Sequence, residues 1–161
     1  MLRVNIICIG KIKEKYFTDA IAEYSKRLGA FCKFGITELA EERIRSNSPN
    51  LSETNAVIRA EGERILQKLN PSDYVIAMCI EGKQLSSEEL AGTLGNISVF
   101  GKSTVDFVIG GSYGLSDEIK KRADFCLSMS KMTFPHQMAR MILSEQIYRA
   151  FEILNNGKYH K

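Results

Sequence analysis

The chain has 161 residues, 44% of them hydrophobic and 25% charged, with three prolines and a formal net charge of +3. That length makes one domain with a sizeable core, too short for two, and the composition excludes a disordered chain. No apolar run approaches the roughly 18 to 20 residues that cross a bilayer, and the opening Met1–Gly10 reads as a first strand rather than a signal peptide.

In chain order, strand-length apolar runs at Leu2–Ile9, Lys33–Leu39, Tyr74–Ile80, Val105–Ile109 and Phe125–Met129 alternate with segments of helical period. The first helix places Phe17, Ala20, Ile21, Tyr24 and Leu28 on one face and ends at Gly29. Glu41–Asn50 is charged and rich in Ser, Asn and Pro, and reads as a mobile surface loop. A second helix begins after Ser52, turns Ile58, Ile65 and Leu69 inward, and stops before Pro71. A third opens on the capping box Ser86-x-x-Glu89 and buries Leu90 and Leu94. A short one follows Ser116, whose hydroxyl can cap it while Asp117 and Glu118 suit its dipole. The last runs from about Pro135 to Asn155. Five alternations predict a mostly parallel α/β sheet flanked by helices, in a single domain spanning 1–161.

The last helix carries more apolar residues than one stripe holds, Met138, Met141, Ile142, Leu143, Ile147 and Phe151 among them. A second copy of the chain is expected to cover one side, giving a homodimer; cover by neighbouring elements of the same chain is the alternative. Cys8, Cys32, Cys79 and Cys126 are scattered with no C-x-x-C pair, and His136 and His160 are the only imidazoles. Buried reduced thiols, no metal site and a cytoplasmic location are expected.

From Lys120 to Lys161 eight basic residues stand against three acidic ones, so that segment carries +5 and the first 119 residues −2. A second basic cluster lies at Lys11, Lys13 and Lys15. Such patches suit an anionic partner such as RNA, or are plain solvated surface. Three loops follow strands three, four and five: Ile80-Glu81-Gly82-Lys83, Ile109-Gly110-Gly111-Ser112-Tyr113-Gly114-Leu115, and Ser128 to His136. Ligands of parallel sheets bind beyond the carboxyl ends of the strands, so these loops are expected around one pocket. The glycine spacing is neither G-x-G-x-x-G nor a Walker loop, and serves a tight turn as readily as a cofactor. His136 suits either packing or chemistry. The terminal Lys158-Tyr159-His160-Lys161 can stack on a base and grip phosphate, or be a free tail.

Several long motifs then coincide. Val4–Gly10 leading into Lys11-x-Lys13, the Ile109–Leu115 loop, the run Leu127–Gln137, and Glu145-Gln146-x-Tyr148-Arg149-Ala150 with Tyr159-His160-Lys161 together resemble the RlmH family. These are bacterial large-subunit ribosomal RNA pseudouridine-N3 methyltransferases of the SPOUT class. The resemblance implies a C-terminal trefoil knot, S-adenosyl-L-methionine as cofactor, a homodimer whose site the partner completes, and 23S ribosomal RNA, on the assembled ribosome, as substrate. It implies cofactor contacts at Met78, Gly110, Met129, Ser130, Lys131, Met132, Thr133 and Phe134. His136, Tyr159 and His160 become candidate proton acceptors, and Lys11, Lys13, Arg140, Arg149 and Lys161 candidate RNA contacts. A non-catalytic RNA- or ribosome-binding protein and a doubly wound enzyme of ordinary NAD or ATP type are the competing readings.

Overall fold

Alternate residues of the first strand part company: Val4, Ile6 and Cys8 enter one apolar cluster while Ile7 and Ile9 enter another. A strand buried on both faces needs helices on both, and the computed structural model, which describes residues 1–161, supplies them. The order is β1 (Arg3–Ile9), α1 (Lys15–Leu28), β2 (Lys33–Leu39), α2 (Leu51–Leu66), β3 (Tyr74–Gln84), α3 (Ser87–Val99), β4 (Thr104–Ile109), α4 (Asp117–Arg122), β5 (Phe125–Ser128) and α5 (His136–Leu154). All strand pairs are parallel, in the order β2-β1-β4-β3-β5. On one face Leu28 of α1, Leu90 and Leu94 of α3, and Leu143, Ile147 and Phe151 of α5 bury the larger core with Phe107 and Ile76. On the other, Ile65 of α2 and Ile119 of α4 close a smaller core over Val75, Ala77 and Val108. The alternation of the sequence thus becomes a three-layer α/β domain, as expected.

Local chemistry sets the element ends. Asn50, not Ser52, starts α2: its side chain accepts the Glu53 amide at 2.9 Å while Glu53 reaches back to the Asn50 amide, a complete capping box. Ser86 and Glu89 form the box expected at α3, and Ser116 accepts the Ile119 amide at α4. Beyond α5, Asn156 takes φ 54, a left-handed position that Asn tolerates and that stops the helix. The 40–50 segment has no regular structure but is anchored, since Arg64 donates to the Ala40 carbonyl at 3.0 Å and the Glu42 amide to Glu61 at 3.1 Å.

The third strand is longer than Tyr74–Ile80. Leu127 of β5 pairs with Met78 and again with Lys83, so the end of β3 bends and crosses β5. Gly82 makes the crossing: a Cβ there would lie 2.7 Å from the Cys126 carbonyl oxygen and 2.8 Å from the Leu127 carbonyl carbon. Only a residue without a side chain lets the two backbones touch. A threaded chain needs such a crossing, and the wrap is consistent with the trefoil knot that the resemblance implies.

No helix is long and apolar enough to cross a membrane. The four cysteines are free; burial pushes the thiols of Cys8, Cys32 and Cys79 up to about 11, leaving them as small hydrophobes.

Candidate functional site

Because β4, β3 and β5 are neighbours, the loops leaving β4 and β5 meet the bent Met78–Glu81 stretch of β3 at one edge, and there they enclose a cavity of about 350 Å³. That volume suits a nucleoside-sized ligand. The floor comes from β4. Gly114, at φ +87, turns the chain back so that its amide donates to the Gly111 carbonyl at 3.0 Å. Gly110 then lies so close that a Cβ would meet the Gly114 carbonyl carbon and oxygen at 2.8 Å each. The tight-turn and ligand-loop readings of these glycines are therefore the same feature: the turn is the wall.

The β5 loop is shaped by its own serines. Ser128 donates to the Ser130 carbonyl at 3.0 Å, and the Ser130 hydroxyl accepts the Met132 amide at 3.0 Å. This presents Met129, Ser130, Met132, Thr133 and Phe134 to the cavity opposite Met78 and Gly110. Seven of the eight expected cofactor residues thus line one space; Lys131 is exposed and outside the lining. Met132 is 74% exposed and stands at the mouth. The lining also contains Lys120, ion-paired with Glu81, and Ala139 on α5. Sequence reasoning missed Lys120 and Ala139, because an α4 lysine and a helix alanine carry no signal until the helices are docked.

One acid–base group lines the cavity and a second is buried behind its glycine wall. His136 opens α5 and lines the wall half-buried; desolvation lowers its pKa, Glu41 opposing and Arg140 assisting, so the imidazole is neutral near pH 7. Glu61 of α2 lies beneath Gly111, 2% exposed, its Oε1 without a hydrogen-bond partner and its pKa raised by burial. A Cβ on Gly111 would come within 2.5 Å of that oxygen.

The tail is docked rather than free. Tyr159 donates to Glu145 at 2.9 Å and packs edge-on to Tyr148, with the Arg149 guanidinium 4.6 Å from its ring centroid. Burial and the Glu145 carboxylate push the Tyr159 phenol well above its ordinary range. His160 lies between Arg149 at 3.2 Å and Glu88 at 2.8 Å. Arg149 and His136 are thirteen residues apart on one helix, roughly 20 Å. His136 therefore does not meet Tyr159 or His160 within one chain.

The expected RNA contacts divide. Lys11, Lys13 and Lys161 are exposed. Arg149 is engaged by Glu145 and His160 and is only partly exposed. Arg140 requires correction: it is 1% exposed, its Nη1 on Glu38 at 2.7 Å and its Nη2 on the Gly10 carbonyl at 3.2 Å, with Nε buried and unpaired. A guanidinium enclosed by β1, β2 and its own helix cannot reach a phosphate.

Comparison with known proteins gives the family and the fold. The family described as "Predicted SPOUT methyltransferase" matches residues 2–160. A protein of Bacillus pumilus named ribosomal RNA large subunit methyltransferase H is 52% identical over 162 residues, covering 99% of this chain and all of the relative. One of Bifidobacterium adolescentis with the same name is 50% identical over 160 residues, with 99% and 100% coverage. Among solved structures, a probable methylase family protein of Haemophilus influenzae Rd KW20 superposes with a TM-score of 0.52 at 18% identity, over 98% of this chain and 70% of that one, a likeness of fold.

Proposed function

The chain belongs to the SPOUT methyltransferase family, and from that premise we propose that it methylates ribosomal RNA of the large subunit, at N3 of a pseudouridine, with S-adenosylmethionine as methyl donor. The observation that carries the reading is the glycine-floored cavity at the ends of β4, β3 and β5, with the unpaired Lys11 and Lys13 at the same sheet edge. The residues present fit the donor. Gly110 packs its bare backbone directly on Gly114, which holds the turn that forms the wall, Met78, Met129 and Phe134 supply apolar cover for an adenosyl group, and Ser130 and Thr133 supply polar contacts.

When bound, the donor supplies an electrophilic methyl group on a sulfonium. The protein's share is alignment and exclusion of water, since an in-line displacement gains most from holding its reactants at near-attack distance. The serine-shaped loop and the Gly111–Gly114 turn hold the donor from two sides. Ring nitrogen 3 of the pseudouridine must lose its proton, and the neutral His136 imidazole at the cavity wall can accept it. Lys11, Lys13 and Lys161 hold the RNA backbone by charge, in the cytoplasm where ribosomes lie.

The working form is a homodimer. One chain buries Leu143, Ile147 and Phe151 but leaves Met138, Met141 and Ile142 half-exposed, the face a second copy covers. The partner's tail, with its copies of Tyr159 and His160, then completes the site that one chain leaves open.

Calorimetry with S-adenosylmethionine, together with mass mapping of large-subunit RNA from a deletion strain, tests the assignment. Donor binding and loss of one methyl from a pseudouridine are expected; RNA binding without donor affinity would leave a non-catalytic binding protein instead. Removing Tyr159–Lys161 is expected to spare donor affinity within about twofold and cut methylation at least 10-fold, roughly 1.4 kcal/mol or more in the barrier. Full turnover by the shortened chain takes the tail out of the mechanism.

A further inference from the structure

Arg140, Glu38 and Gln137 converge on one short loop. The chain leaves β1 through Gly10 at φ +86 and presents Lys11 and Lys13, both exposed and in no ion pair, unlike Lys15, which is held by Asp19. The backbone of this loop is fixed from two sides. The Glu38 Oε2 accepts the Ile12 amide at 3.1 Å and the Arg140 Nη1 at 2.7 Å, so one oxygen ties the loop to the buried guanidinium. Arg140 also donates to the carbonyls of Gly10 and Ile9, at 3.2 and 3.5 Å. Three residues earlier on α5, Gln137 accepts the Lys13 amide at 3.3 Å.

A buried arginine is a costly way to hold α5 against β1, where an apolar side chain would pack as well. What it adds is direction, fixing three oxygens at chosen places around the loop. The helix that does this also carries His136 and Ala139 in the cavity wall, so the loop is indexed to the pocket by rigid structure.

We propose that Arg140, Glu38 and Gln137 form a clamp that pre-sets Lys11 and Lys13 as a phosphate grip beside the cavity. They are positioning residues that touch no RNA themselves. The proposal rests on the RNA-methyltransferase reading above and goes beyond it in saying what orients the grip. Cations on a fixed backbone bind a polyanion with less ordering cost than the same cations on a free loop. The clamp therefore acts on RNA affinity and on its salt dependence, and not on the donor.

The test measures binding of purified ribosomes from a deletion strain across a salt series, with donor affinity by calorimetry alongside. The Lys11→Ala, Lys13→Ala double variant is expected to weaken ribosome binding about 10-fold and flatten the log–log salt slope by roughly one to two. Glu38→Ala and Gln137→Ala are each expected to weaken it about threefold with donor affinity unchanged, while Glu38→Gln, whose single carbonyl can serve both donors, retains near wild-type binding. In the double-lysine background Glu38→Ala and Gln137→Ala should add nothing. Gln137→Ala leaves no buried charge unpaired, and carries the test alone if Glu38→Ala does not fold. Equal losses with and without the lysines, or salt-dependent binding indifferent to both clamp variants, overturn the clamp and leave the function standing. A wild-type protein that binds no ribosomes overturns both.

Discussion

At the amino ends of β3 and β5 the polar groups close on one another. Val75 and Asp124 exchange two hydrogen bonds of 2.8 Å, Arg122 donates to the carbonyls of Asn70 and Asp73, and the Asp73 carboxylate accepts the Asn70 amide at 2.9 Å. Nearby, Asn5 donates to Asp106 at 2.7 Å on the neighbouring strands. At the carboxyl ends of the sheet the pattern inverts: glycine turns and apolar side chains left outside, with Ile80 at 55% and Met132 at 74% exposure. One end uses its polar residues to lock strands together. The other leaves contacts unmade that a ligand can complete, and loops held by a rigid sheet are where binding sites arise.

Breaking the carboxyl end gives the largest expected effect. Gly110→Val forces a side chain into the Gly114 backbone, so donor affinity should fall at least 100-fold, about 2.7 kcal/mol. Calorimetry with S-adenosylmethionine reads this, and near-normal binding would show that the turn does not shape the cavity.

The amino end yields a pH signature instead. Burial, helped by the neighbouring Asp73, raises the Asp106 carboxyl from 3.8 to about 6, while the Asn5 hydrogen bond holds it down. The folded chain then keeps a proton that the unfolded chain releases. The contribution of this group is full below pH 3.8, falls as pH rises to about 6, and is flat above. Asp106→Asn keeps an oxygen for Asn5 and removes the cost. It should stabilise the protein at pH 7.5 by roughly 2 kcal/mol, with the gain vanishing toward pH 4. Thermal melts of both proteins across pH read it, and a pH-independent difference would break the assignment.

The smallest effect sharpens the comparison from outside both ends. Asn50→Ala removes the α2 cap and should cost about 1 kcal/mol in urea unfolding without changing donor affinity.

Much of the architecture was legible because periodicity and capping chemistry act locally. The five strands, the helix faces of Phe17, Ile21 and Leu28, and the Ser86 and Ser116 caps depend on residues within a turn or two of one another. The cavity loops after β4 and β5 were legible for a related reason, since a parallel sheet sends all its strand ends to one side, whereas the third expected loop, Glu81-Gly82-Lys83, belongs to the extended β3. Arg140 was misread because its helix neighbours say nothing of Glu38, 102 residues away, which encloses it. The extension of β3 escaped for the same kind of reason: Gly82 looks like a loop residue until β5 lies against it.

The amino-acid order by itself determined the alternation of strands and helices, the glycine turn after β4 and the family resemblance, because each is carried by near neighbours or by long runs of motif. Tertiary structure alone decided the strand order β2-β1-β4-β3-β5, the crossing of β3 over β5, and the division of the basic residues into exposed lysines and a buried arginine. Those outcomes depend on which distant segments share a surface and how much water each pairing excludes, and local sequence encodes neither.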